Sequence, residues 1–165
     1  MAQPKRLRGI SYQGFSTYFV TSVTSHRTKA FSCIDFGLWA KQKLIATAER
    51  EKFAISAYCL MPDHAHLLLN ALDHQSDLCR MVSAWKQQTG FAWSRSESGK
   101  LWQHGYWERV LRDEEETLPI ARYVIENPVR AALVSEPAAY ELSGSTVFTI
   151  EQICAATQMR YRWQR

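Results

Sequence analysis

Residues 53–71 read FAISAYCLMPDHAHLLLNA, two apolar runs separated by Pro62 and Asp63. A Pro-Asp pair suits a type I turn, because the proline ring presets φ and the carboxylate bonds nearby backbone. The runs 53–61 and 64–71 have strand length, so the pattern predicts a β-hairpin. Side chains alternate along a strand, which places His64, His66 and Leu68 on one face and Ala65, Leu67 and Leu69 on the other. The second set is wholly apolar and is expected to face covering helices. Both imidazoles then share the face those helices leave uncovered.

Working outward, TYFVTSVT (17–24) is rich in β-branched and aromatic residues and reads as a strand. From about Cys33 to Lys52 the period changes, with Ile34, Leu38, Ile45 and Ala48 marking one helical face. Ser76 is a candidate N-cap for a second helix whose stripe is Leu78, Met81, Val82 and Trp85. SRSESGK (94–100) reads as a polar loop and GYWERVL (105–111) as a short strand. The order strand, helix, strand, strand, helix, strand predicts an α+β fold: a ferredoxin-like βαββαβ antiparallel sheet with helices on one face. A further helix follows, carrying Tyr123. The acidic run Asp113 to Glu116 suits its positive end, and Pro119, tolerated only in a first turn, sets a start near Thr117. Pro128 disfavours helical geometry before it, which ends the helix at Asn127. Beyond Leu133 the stretch EPAAYELSGS reads as a loose tail, followed by a short helix around 148–158.

A chain of 165 residues with 46% hydrophobic and 22% charged residues is expected to form one globular domain. Its apolar runs fall short of the roughly 18 residues a membrane span needs, and MAQPKRLRG lacks the apolar core of a signal peptide. The four cysteines, Cys33, Cys59, Cys79 and Cys154, form no CxxC pair, so neither a zinc ribbon nor a disulfide framework is expected. A cytoplasmic location follows as the expectation. The net charge of +4 excludes little. The ending MRYRWQR interleaves arginines with Tyr161 and Trp163, a composition that suits phosphate contact and base stacking and equally a solvated terminus.

An HxH pair on one strand face presents two nitrogen ligands to a single metal ion; the plainer reading is packing. The candidate third ligand lies in the late helix, where Tyr123 and Asn127 are four apart and project from one face. Their plainer readings are an aromatic packing residue and a helix C-cap. Asp63 precedes the pair and is expected to face away from it in a turn role.

MPDHAHLLL (61–69), WQHGYWERVLRDEEE (102–116) and ARYVIENPVRAALV (121–134) together resemble the single-tyrosine transposases of the HUH superfamily, in the branch of REP-associated tyrosine transposases. The resemblance covers roughly residues 15–140. It implies that His64, His66 and Asn127 hold a divalent metal, Mg²⁺ or Mn²⁺, and that Tyr123 is the nucleophile. The implied reaction cleaves and rejoins single-stranded hairpin DNA of the REP type through a 5′-phosphotyrosine intermediate. The chain then divides into a transposase domain, 1–140, and a basic tail, 141–165, that contacts DNA. Arg109, Arg112, Arg122, Arg130, His104 and Trp102 are the candidate DNA contacts; each has a plainer reading as a solvated charge, a loop histidine or core packing. Tyr106 and Trp107 are further stacking candidates. Monomer and homodimer both remain compatible with the resemblance. The alternative is a non-catalytic single-stranded nucleic-acid-binding protein of ferredoxin-like fold, which has no need for the convergence of four such residues. A different HxH metalloenzyme lacks its second motif here.

Overall fold

The computed structural model describes residues 15–111 and 117–156. Five strands form one antiparallel sheet in the order β4-β1-β3-β2-β5: β1 (Thr17–Val23), β2 (Phe53–Met61), β3 (His64–Ala71), β4 (Trp107–Leu111) and β5 (Ser143–Gly144). The first four strands, with α1 (Ile34–Arg50) and α2 (Leu78–Ser96), build the expected βαββαβ plan. β2 and β3 meet across Pro62-Asp63 with Met61 opposite His64 and Cys59 opposite His66.

The apolar face of β3 does what its composition demands. Ala65, Leu67 and Leu69 are fully buried and join Tyr18, Val20, Ile55, Leu60, Leu44 and Trp85 in the main core, under α1 and α2. The indole of Trp85 donates to the carbonyl of Ala40 and so ties α2 to α1.

The histidine face is left free by α1 and α2, as expected, and is covered in part by the later helix. Leu68, Phe19, Ala57 and Cys59 form a second, smaller core closed by Ile120, Ala121, Val124 and Ile125 of α3 (Thr117–Ile125). Pro119 lies in the first turn of that helix as described. α3 ends at Ile125, two residues before the expected Asn127, and a short α4 (Asn127–Arg130) continues with Pro128 in its first turn. The acidic run Asp113 to Glu116 lies outside the described residues.

Three local expectations are also corrected. The N-cap of α2 is Asp77, whose carboxylate accepts the backbone N–H of Arg80 at 2.9 Å. Ser76 instead donates to the carbonyl of Lys52 at 2.7 Å and stitches the helix entry to the end of α1. α2 runs on to Ser96, into the stretch read as loop, and β4 starts at Trp107 rather than Gly105. The residues after Leu133 are not a loose tail. Leu142 is buried in the main core, its carbonyl accepts from the N–H of Leu60, and Tyr140 Oη donates to the carbonyl of Leu60. That docking adds β5 beside β2, where a Cβ on Gly144 would come within 2.9 Å of the Tyr58 hydroxyl. α5 (Ile150–Ala155) follows with a Thr149–Gln152 capping box and buries Ile153 in the second core. Among the described residues no helix is long and apolar enough to cross a membrane.

Candidate functional site

β3 delivers His64 and His66 to one face, as period two requires, with their ring centroids 4.8 Å apart and nearly perpendicular. α3 crosses the same face and sets the ring of Tyr123 6.2 Å from that of His66. Phe19 of β1 packs against both, stacked on His66 at 5.6 Å and edge-to-face with Tyr123 at 6.3 Å. A tyrosine sixty residues away in sequence is thus fixed beside the histidines by apolar packing.

Hydrogen bonds decide which ring nitrogens are offered. His64 Nδ1 lies 2.6 Å from Asp63 Oδ1. A carboxylate can only accept, so Nδ1 carries a proton and, in the neutral ring, Nε2 the lone pair. His66 Nδ1 meets the Thr21 hydroxyl at 3.0 Å, a partner that serves either tautomer. Burial, then the charges of His64 and Arg130, push the His66 pKa down to about 3. His66 is therefore neutral at pH 7, the form in which imidazole ligates metals.

Asn127 opens α4, and its Nδ2 donates to the carbonyls of Tyr123 at 3.0 Å and Val124 at 3.1 Å. This is the capping role of the plainer reading. It also orients the amide, because an Nδ2 committed to carbonyls leaves Oδ1 as the atom available to a cation. Two imidazoles and an amide oxygen fit a divalent ion only with further oxygen ligands. No group of three or more His, Cys, Asp or Glu side chains able to hold a metal occurs among the described residues.

Of the predicted DNA contacts, Arg130 is the one brought to the tyrosine. Its guanidinium lies 4.3 Å from the centre of the Tyr123 ring and its Nη2 donates to the Tyr123 carbonyl at 2.5 Å. Arg122 bonds Glu126 at 2.7 Å and the carbonyl of Ala156 at 2.5 Å, joining α3 to the end of α5. Arg109 sits opposite Phe19 in the β1–β4 register and so shares the histidine face at the sheet edge. Trp102 is 8% exposed, packs on Trp85 and Phe31, and donates to Thr89 Oγ1, which is the core-packing alternative. His104 lines a cleft of about 580 Å³ with Lys86, Lys100 and Gln87, beside α2 and away from the histidine face. Arg112 lies outside the described residues, as does the basic ending 157–165.

Two contributors escaped sequence reasoning. Asp63, expected to face away, turns back to bond His64; its direct adjacency to the HxH pair was the available signal. Trp107 was weighed only as a general stacking candidate, whereas it stands opposite Thr21, 39% exposed and edge-on to Phe19 at 5.7 Å.

Comparison with known proteins finds similarity to transposases. The model of the family described as "Transposase IS200 like" matches residues 15–127. A Haemophilus influenzae protein named "Putative REP-associated tyrosine transposase" is 29% identical over 129 residues, covering 71% of this chain and 72% of its own. A second H. influenzae protein, uncharacterised, is 23% identical over 159 residues, covering 75% of this chain and 86% of its own. The solved structure of a REP-associated tyrosine transposase bound to a REP hairpin superposes with a TM-score of 0.68 at 19% identity, covering 84% of this chain and 81% of that one. That likeness is one of fold.

Proposed function

The chain belongs to the IS200-like transposase family, and from that premise we propose that it cuts and rejoins single-stranded hairpin DNA with Tyr123 as nucleophile. The observation that carries the reading is the convergence on one sheet face of Tyr123, whose ring lies 6.2 Å from that of His66, with His66, whose ring lies 4.8 Å from that of His64. A protein that only binds DNA gains nothing from placing a phenol against two imidazoles.

In this reading His64 Nε2, His66 and Asn127 Oδ1 hold the divalent ion. Mg²⁺ or Mn²⁺ held by these residues would supply Lewis-acid polarisation of the scissile phosphate and offset charge developing on its oxygens. Phe19 and α3 hold the Tyr123 ring in place, so its attack is effectively intramolecular once DNA is bound. The bond from Tyr123 Oη to phosphorus forms as the bond to the 3′ oxygen breaks. The phenol gives up its proton, the leaving 3′ oxygen takes one up, and the DNA 5′ phosphate stays esterified to Tyr123. Attack by a free 3′-hydroxyl reverses the step, so rejoining needs no nucleotide cofactor. Arg130, with Arg109 at the sheet edge, is placed to meet the phosphate backbone. The hairpin preference rests on the relatives: one carries the REP-associated name and another was solved with a REP hairpin.

The test is incubation with end-labelled hairpin DNA and Mg²⁺ or Mn²⁺, followed by a denaturing gel. A covalent adduct is expected, abolished by chelator and by Tyr123→Phe, with hairpin binding retained. An adduct that persists in Tyr123→Phe overturns the nucleophile. Hairpin binding without any adduct favours the non-catalytic alternative.

A further inference from the structure

Asp63 joins His64 to two residues, Arg27 and Thr24, that lie outside the candidate site. Its Oδ1 meets His64 Nδ1 at 2.6 Å, and its Oδ2 meets Arg27 Nη1 at 3.4 Å. Its backbone carbonyl accepts from both the N–H and the hydroxyl of Thr24, at 3.0 and 2.8 Å. The neighbouring Pro62 carbonyl accepts from the N–H of Phe31 at 3.1 Å. The hairpin turn is therefore fastened to the loop after β1.

That loop is itself unusual. His26 and Arg27 are consecutive non-glycine residues in the left-handed region, with φ of 53° and 56°. Backbone strain of this kind persists only where surrounding structure holds it. Here the Thr24 hydroxyl also donates to the Thr28 carbonyl, closing the loop beneath Arg27. The outcome is an arginine delivered to a carboxylate that is already bonded to a histidine.

We propose that Asp63, braced by Arg27, is a positioning residue that locks His64 with its proton on Nδ1 and its Nε2 lone pair directed to the cation. This rests on the metal reading of the histidine pair. A carboxylate behind a ligating imidazole fixes its tautomer and rotation, and losing such a partner costs about 10–100-fold in metal affinity. Asp73 and His74 provide an internal control, a similar pair at 3.2 Å that is exposed and remote from the site.

Two readouts on the full chain test it. The first is the ¹⁵N spectrum of the metal-free imidazoles at slightly alkaline pH. In the wild-type protein His64 is expected to carry its proton on Nδ1, and in Asp63→Ala to populate both tautomers. The second is Mn²⁺ binding followed by electron paramagnetic resonance without DNA. Asp63→Ala is expected to weaken it about 10–100-fold, Arg27→Gln by less, and Asp73→Ala not at all, with thermal unfolding reporting that each variant folds. Should Asp63→Ala not fold, the wild-type tautomer and Arg27→Gln carry the decision. A wild-type His64 protonated on Nε2, or a folded Asp63→Ala that binds Mn²⁺ like wild type, overturns the brace. Equal Mn²⁺ uptake by wild type and His64→Ala overturns the metal site instead, and the tautomer then decides the brace alone.

Discussion

Phe19 is the residue that makes the candidate site one object. Fully buried on β1, it stacks on His66 and meets Tyr123 edge-to-face. Phe19→Ala is expected to cost about 3–5 kcal/mol, measured by chemical denaturation, and to slow adduct formation further in whatever protein still folds. His66 carries a pH prediction. Its pKa falls from the ordinary 6.5 in the unfolded chain to about 3 in the fold, burial being the main cause. Between these values the unfolded chain binds the extra proton, so stability is fully present above pH 6.5 and declines as pH drops toward 3. The slope from this residue is at most about 1.4 kcal/mol per pH unit. Unfolding free energies of the metal-free protein across that range are expected to fall with acid, and to fall less in His66→Gln. Matching slopes in the two proteins contradict the burial argument. Neither Phe19 nor Asp63 was legible as a site residue. Phe19 lies inside an ordinary strand pattern, and Asp63 satisfied its position as a turn residue without needing a partner.

The elements were more legible than their ends. The hairpin 53–71 followed from alternation and turn chemistry, and the two long helices from a helical period that repeats over many residues. In α1, however, Ile34 of the expected stripe is exposed, and Gly37, Ala40, Leu44, Thr47 and Ala48 form the buried face. What the pattern missed was decided by single contacts. Ser76 and Asp77 are adjacent and equally suited to capping by type; only the Asp77–Arg80 bond against the Ser76–Lys52 bond separates them. Asp77→Ala should therefore destabilise the protein by about 1 kcal/mol, the worth of an N-cap, as read from a denaturant midpoint. An unchanged midpoint argues against that cap. β5 is two residues long and has no period to read; it exists because Leu142 reaches the core and Tyr140 bonds Leu60. The second core was missed because Leu68 was read only as a companion of the histidines, whereas α3 needed an apolar floor.

At the scale of the whole molecule, one sheet serves two faces with different tasks. Under α1 and α2 it carries a conventional core; under α3 it carries a half-apolar, half-polar face where packing positions chemistry. Because a single chain brings Tyr123 to its own His66, strand cleavage is expected to work in cis. Mixing the two inactive proteins Tyr123→Phe and His66→Ala should restore no adduct, and restored adduct contradicts the cis arrangement. The central claim is tested most directly by mass spectrometry of the adduct trapped on a hairpin substrate. After nuclease and protease digestion, the account predicts a nucleotide joined through its 5′ phosphate to the peptide containing Tyr123, formed only when the divalent ion is supplied. A nucleotide on any other residue, or the same yield of adduct in the presence of chelator, contradicts it.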